Sequence, residues 1–247
     1  MAPDTAPFVM RFDPKPVLAR QSIFSRASEA LIDSFAQAAQ VVSLKKGDTL
    51  FLQDDDADAF YIVLSGWVKL FRETLDGNEA VIDMVTNGHI FAETAILEDS
   101  VHSFGASAIE DVRVLRLPSA LLRKAITEDN AMALSMLTSL SRHRKRQTRE
   151  IESLTLQNAS QRIGCFLLRL CHRDDMGPIE LKLPYDKSLI AARLGMKSET
   201  FSRALNKLRE ETGITVKGAT VIIPTIDVMS SFACSACSNE FPCDDMH

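Results

Sequence analysis

At Pro118 the chain changes its periodicity, and no fold built from one kind of element accommodates both halves. Upstream, between about Gln40 and Leu117, short β-rich runs recur at Val41-Leu44, Thr49-Leu52, Phe60-Leu64, Trp67-Phe71, Val81-Val85 and Val112-Leu117. Many short runs separated by turn residues pack as a sandwich or a barrel. The connections Lys46-Gly47-Asp48 and Asp76-Gly77-Asn78 carry residues that tolerate positive φ, as tight hairpins require. Downstream, Leu137, Leu140, Arg144, Gln147, Ile151 and Leu154 fall at alternating steps of three and four, a heptad-like seam. Its polar middle between apolar ends suits two long helices crossing in a dimer; packing within one chain is the alternative.

At 247 residues and 46% hydrophobic content, there is enough apolar material for two cores. The start is Pro-rich (Pro3, Pro7, Pro14, Pro16) and charged, unlike a signal peptide, and no run is long and apolar enough to span a bilayer. A cytoplasmic location without membrane contact is expected. The net charge of -5 is unevenly spread: residues 159–232 carry 11 basic and 8 acidic groups, whereas residues 1–158 carry 17 and 22. Partners feel such local fields rather than the total. A basic run on the seam helix, Arg142, Arg144, Lys145, Arg146 and Arg149, reads as a solvated face with no DNA role.

Within the basic segment, residues 159–171 form an amphipathic helix with Ile163, Phe166, Leu167 and Leu170 on one face, and Asp174-Asp175-Met176-Gly177-Pro178 ends it. A short strand is predicted at Ile179-Leu183. Two further amphipathic segments, Lys187-Arg193 and Ser198-Arg209, are joined by Leu194-Gly195-Met196-Lys197, which is helix-turn-helix spacing. Gly195 suits the left-handed turn, Ala191 and Ala192 allow close approach, and the Ser198 hydroxyl is placed to cap the second helix. Leu189, Leu194, Phe201, Leu205 and Leu208 supply its core. Glu199, Ser202, Arg203 and Lys207 then face outward near the end that enters a major groove. Arg bonds guanine O6 and N7, Glu accepts from cytosine N4, and Ser pairs with several base edges. A surface ion pair between Glu199 and Arg203 is the alternative.

The stretch from Leu189 to Leu208, with Ser198-Glu199-Thr200-Phe201-Ser202-Arg203, resembles the helix-turn-helix of the Crp/Fnr transcription regulators, and Phe60-Tyr61-Ile62-Val63-Leu64-Ser65-Gly66-Trp67-Val68-Lys69-Leu70 resembles their sensor domain. The resemblance implies an α+β chain: an N-terminal β jelly-roll sensor barrel of the cyclic-nucleotide-binding kind, a long dimerisation helix and a C-terminal winged helix-turn-helix. Its segments are a flexible arm at 1–19, the sensor at 20–125, the dimerisation helix at 126–158, the DNA-binding domain at 159–232 and a cysteine-containing tail at 233–247. It also implies a homodimer on double-stranded DNA, contact with RNA polymerase, and, from Glu199, Ser202 and Arg203, the Fnr branch, whose dimers read TTGAT-like inverted repeats. No nucleophile elbow, phosphate loop or zinc-protease motif points to an enzyme.

The effector positions depart from the nucleotide-binding pattern of Gly-Glu and Arg-Ser: they read Ala92-Glu93 and His102-Ser103, without the phosphate-neutralising Arg. Cyclic nucleotide binding is therefore not expected. His89 and His102 offer haem ligands in the alternative reading. The five cysteines are expected as thiols or metal ligands rather than disulfides. Three of them, Cys234, Cys237 and Cys243, resemble the triplet that holds a four-iron, four-sulfur cluster in Fnr-type oxygen sensors, with Asp244, Asp245, His247, Cys165 or a carboxylate of the sensor or dimerisation helix as the fourth ligand. A zinc site using His247, or an unliganded tail, remains open from the residues alone. Cys171, at the edge of its helix's apolar face, reads as core.

Overall fold

The computed structural model describes residues 12–77, 79–97, 101–171, 178–183, 187–237 and 241–242. Helices α1 (Lys15–Ala19) and α2 (Glu29–Ala38) lead in, the second capped by Ser28, whose hydroxyl accepts the Leu31 N–H at 3.2 Å. Eight strands follow: β1 (Gln40–Leu44), β2 (Thr49–Phe51), β3 (Ala59–Ser65), β4 (Trp67–Glu73), β5 (Glu79–Thr86), β6 (Ile90–Phe91), β7 (Gly105–Ala108) and β8 (Val112–Pro118). They make two four-stranded antiparallel sheets, β1-β8-β3-β6 and β2-β7-β4-β5.

Strand β3 is buried on both faces, and the pleat sorts its side chains. Ala59, Tyr61 and Val63 point between the sheets with Val68, Leu70, Val85 and Val114. Phe60 and Ile62 point the other way, into a second cluster with Leu18, Ile23, Phe35 and Leu122. That outer face needs a cover, which is why residues 15–19 are helical, with Leu18 fully buried, rather than part of a loose arm. The β3–β4 hairpin turns at Gly66, where φ is +85° and a Cβ would stand 2.6 Å from the Asp111 carbonyl oxygen.

The segment 126–158, predicted as one helix, is interrupted. Asp129 is extended; it ends α3 (Ser119–Glu128) and caps α4 (Asn130–Leu156), accepting from the Ala131 and Met132 N–H groups at 2.8 and 3.4 Å. Met132 and Met136 pack α4 onto the sensor cluster. At the far end Gln157 and Asn158 are extended and form the joint to α5 (Ala159–Arg169), which opens with a reciprocal Asn158–Gln161 capping box. Then come β9 (Ile179–Lys182), α6 (Lys187–Arg193), α7 (Ser198–Thr212), β10 (Thr215–Lys217), β11 (Thr220–Ile223) and α8 (Ile226–Ala233). The three strands pair as β10-β11-β9, the wing.

The core of this domain, Ile163, Leu167, Ile190, Phe201, Leu208, Val221 and Met229, continues into Trp67 and Met84 of β4 and β5. The helix-turn-helix thus rests on the sensor. Among the described residues, no helix is long and apolar enough to cross a membrane.

Candidate nucleic-acid interface and sensor pocket

Helix α7 buries Phe201, Ala204, Leu208 and Thr212, one face of a 3.6-residue period. The opposite face exposes Glu199, Ser202, Arg203 and Lys207, and with them Asn206, a residue the sequence reading passed over although it lies three beyond Arg203. Asn is a bidentate partner for adenine. Among the described residues Glu199 and Arg203 form no ion pair with each other. Ser198 does not cap the helix: Lys197 holds the extended capping position and makes no side-chain bond there. Ser198 is already the first helical residue, and its carbonyl accepts the Ser202 hydroxyl at 3.0 Å.

The turn before α7 is shaped by Gly195, whose φ is +64°, and closed by the Met196 N–H donating to the Ala191 carbonyl at 2.9 Å. From α5, Arg162 donates to the Leu194 carbonyl at 3.0 Å. Ala191 and Ile190 fill the core, whereas Ala192 is exposed and mediates no close approach; Leu189, Leu194 and Leu205 are half-buried against the core. At the end of α6, Arg193 reaches out of the domain. Its Nε donates to Asp83 on β5 at 3.0 Å, and its terminal nitrogen pairs with Glu150 on α4. Arg146 belongs to this neighbourhood as well, so the basic run on α4 is not wholly a solvated face. Burial alone would push the Asp83 carboxyl up; the charges of Arg193 and Arg146, with bonds from Arg193 and the Met84 N–H, outweigh it and hold the group below the ordinary carboxylate range.

In the sensor, Ala92 has a φ of +66°, so the backbone keeps a glycine-like conformation without glycine, at a cost of about 1–2 kcal/mol. Glu93 is buried, and burial pushes its carboxyl above the usual range; its Oε1 lies 3.5 Å from His143 Nδ1 on α4. His102 is 1% exposed and stacks on Phe51 with ring centroids 3.6 Å apart, beside Tyr61, Phe91 and Phe104. Its Nδ1 has no hydrogen-bond partner among the described residues, and burial lowers its pKa despite Asp55 and Asp58. Ser103 points to solvent, so the His102-Ser103 pair does not converge on one site. The rings around His102 are aromatic, with Arg116 beside the Tyr61 hydroxyl. His89 is apart from that stack in its bonding, with Nδ1 3.0 Å from the Thr86 carbonyl oxygen.

Cys234 and Cys237 sit on a 3-10 turn after α8, both half-buried, the Cys237 N–H donating to the Cys234 carbonyl at 3.0 Å. Two cap residues of the α4–α5 joint hold this turn: Gln157 Nε2 donates to the Ala233 carbonyl at 3.1 Å and Gln161 Nε2 to the Ser235 hydroxyl at 2.9 Å. Cys165 is half-buried on α5, and Cys171 is buried with its thiol donating to the Leu167 carbonyl at 3.4 Å. Cys243, Asp244, Asp245 and His247 lie outside the described residues, among which no three His, Cys, Asp or Glu side chains gather as a metal site. On the seam expected to dimerise, Leu137, Arg144, Gln147, Ile151 and Leu154 are exposed, while Leu140 is half-buried against the sensor cluster.

Known proteins share both halves of this architecture. A family model described as a cyclic nucleotide-binding domain matches residues 41–129, and one described as a Crp-like helix-turn-helix domain matches residues 161–231. The nitrogen fixation regulation protein FixK of Rhizobium meliloti is 31% identical over 199 residues, 81% of this chain and 87% of that protein. A CRP-like cAMP-activated global transcriptional regulator of Mycobacterium tuberculosis is 26% identical over 210 residues, 84% of this chain and 94% of the relative. A crystal structure from Ruegeria pomeroyi, described as a candidate cyclic nucleotide binding protein, is 35% identical with a TM-score of 0.71, covering 90% of this chain and 97% of that one.

Proposed function

Because the chain belongs to the Crp/Fnr family of DNA-binding transcription regulators, we propose that it works as a homodimer reading a TTGAT-like inverted repeat, one α7 per half-site, with RNA polymerase as a further partner. The observation that carries this reading is the outward row of Glu199, Ser202, Arg203 and Lys207 on a helix whose opposite face is the domain core. Glu199, Ser202 and Arg203 are the base-reading groups, Lys207 is a phosphate contact, and Ser198 belongs to the same DNA-binding end of the helix.

The signal is oxygen, redox state or nitric oxide rather than a cyclic nucleotide. One relative is cAMP-activated, but here the position of the phosphate-neutralising Arg is held by His102, which stacks on Phe51 and whose pKa burial lowers. Calorimetry with cyclic AMP at neutral pH is expected to stay flat.

For the sensing group, Cys234 and Cys237 fit as two ligands of one centre: their thiols share a single turn and are not sealed in the core. Cys243 would be the third, with Asp244, Asp245, His247 or Cys165 completing the set. A four-iron, four-sulfur cluster there would supply oxygen-labile redox chemistry. The chain's own contribution is to fasten that turn through Gln157 and Gln161 to the joint between the dimerisation helix and the DNA-binding domain. Haem on His89 or His102, with the tail unliganded or zinc-bound, is less well supported, since His102 is held against Phe51. Protein purified without oxygen is expected to be brown, to contain iron and sulfide and to bleach in air, with Cys237→Ser colourless. Stoichiometric zinc in colourless wild type would overturn the cluster, and a Soret band lost on substituting His89 or His102 would replace it with haem.

A further inference from the structure

The peptide chain connects the dimerisation helix to the DNA-binding domain at a two-residue joint, Gln157 and Asn158, both extended. The backbone of such a joint limits distance, and Gln157 adds a tie to the Ala233 carbonyl at the end of α8. A further attachment is needed to fix orientation, and Arg193 is placed to make it. It closes α6, five residues ahead of Ser198 where α7 begins, and it meets a different element with each end of its guanidinium: Asp83 on sensor strand β5 and Glu150 on α4.

We infer that the Asp83–Arg193–Glu150 bridge positions α7 relative to the dimerisation helix and so determines which half-site spacing the dimer accepts. The inference rests on the reading of the protein as a dimer engaging two half-sites. A planar guanidinium presents its N–H groups to two carboxylates in a fixed geometry, whereas a Lys ammonium is a point charge on a flexible stem. The Arg193 side chain is 12% exposed against 30% and 29% for its partners, so the bridge is largely shielded from water. Arg146 adds a second positive charge near Asp83, and the packing of α6 on β5, with Trp67 and Met84 joined to the helix-turn-helix core, seats the bridge on an apolar base.

The consequence is geometric. Each base pair added between half-sites separates them by roughly 3.4 Å and rotates them by about 35°, so a rigidly held pair of recognition helices accepts one spacing and rejects its neighbours. Two half-sites reinforce each other only when both can be engaged at once. A domain swivelling on residues 157 and 158 would tolerate several.

The test uses the full-length protein, wild type, Arg193→Met and the double variant Asp83→Asn/Glu150→Gln, on duplexes carrying one half-site or an inverted repeat with its spacer varied by one and two base pairs. Fluorescence anisotropy at fixed salt reads affinity, and sedimentation reads the dimer. Wild type is expected to prefer one spacing by about tenfold or more. Both variants are expected to sediment as dimers, to bind the single half-site within about twofold of wild type, and to lose the preference to within about threefold. Variants that keep the full preference would overturn the role of the bridge. So would a parallel loss of single-half-site binding, which would mean that Arg193 acts on the fold of the helix-turn-helix itself. Dimeric wild type indifferent to spacing would overturn the bridge alone; monomeric wild type would overturn the dimeric reading with it.

Discussion

Arg203 and Lys207 are one helical turn apart on the exposed face of α7, yet they are expected to act differently, because base edges carry sequence information and phosphates do not. Arg203→Ala is expected to lose about 1–3 kcal/mol at the preferred repeat and to relax selection at one base pair, whereas Lys207→Ala weakens all sequences alike and flattens the salt dependence. Competition binding over single-base variants of the repeat checks both; an Arg203→Ala protein with unchanged base preference would remove α7 from the groove. In the sensor, Glu93 has a folded pKa raised above its ordinary 4.5, so the unfolded chain gives up that proton first. Its contribution to stability is present below that value and lost as pH rises through the folded pKa. Glu93→Gln should therefore raise the melting temperature at pH 7 to 8 and leave it unchanged below about pH 4.5; a lower melting temperature at pH 8 would show that the charged form is the favoured one. His102 has the opposite sign: its lowered pKa makes stability fall as pH drops below 6.5. The outward row on α7 was legible in the sequence because Phe201, Ala204 and Leu208 define the inward one. Arg193 was not, since its bond to Asp83 spans 110 residues and no periodicity reports it.

At the scale of elements, alternation revealed the long strands, while β6 and β7 escaped: Ile90–Phe91 is two residues long, and Gly105–Ala108 contains no β-branched or aromatic residue. The break between α3 and α4 escaped for a different reason, because Asp129 lies inside a helical pattern and acts as a cap only where the backbone leaves that pattern. The packing of α5 against α8 was equally hidden. A Cβ at Gly164 would stand 3.0 Å from the Ala233 Cβ and 3.3 Å from the Met229 sulfur, so this glycine sets how closely the segment bearing Cys234 approaches α5. Gly164→Ala gains about 1 kcal/mol of helix propensity and needs only a small shift of its neighbours, so it is expected to be near neutral. Gly164→Val cannot be absorbed this way; it should destabilise by about 1–3 kcal/mol in denaturant and speed alkylation of Cys234 by iodoacetamide. Equal alkylation rates in Gly164→Val and wild type would mean that the contact does not hold the cysteine turn.

Over the whole molecule, the change of period at Pro118 told the two architectures apart, but it could not tell how they meet, because Trp67 and Met84 read as ordinary barrel residues and prove to belong to the core of the DNA-binding domain. The seam on α4 turns apolar side chains outward at both ends of its polar middle. Leu137, Ile151 and Leu154 are 61%, 66% and 49% exposed on one 27-residue helix, more than a helix stabilised only within its own chain would leave uncovered. Met132 and Met136 on the same helix are buried against the sensor, so one side of α4 packs on its own chain, and the proposed dimer would cover the other with a second copy. Burying each of the three on association contributes up to about 1.5–3 kcal/mol, and replacing two of them by carboxylates reverses the sign. The double variant Leu137→Asp/Ile151→Asp is expected to sediment as a monomer while keeping its helical circular dichroism, since neither side chain is part of a core. Its affinity for a single half-site should match wild type, and its affinity for the full repeat should fall by about two orders of magnitude, the reinforcement that a joined pair of binding modules provides. A variant that remained dimeric, or a monomer that bound the repeat as tightly as wild type, would place the dimer contact elsewhere.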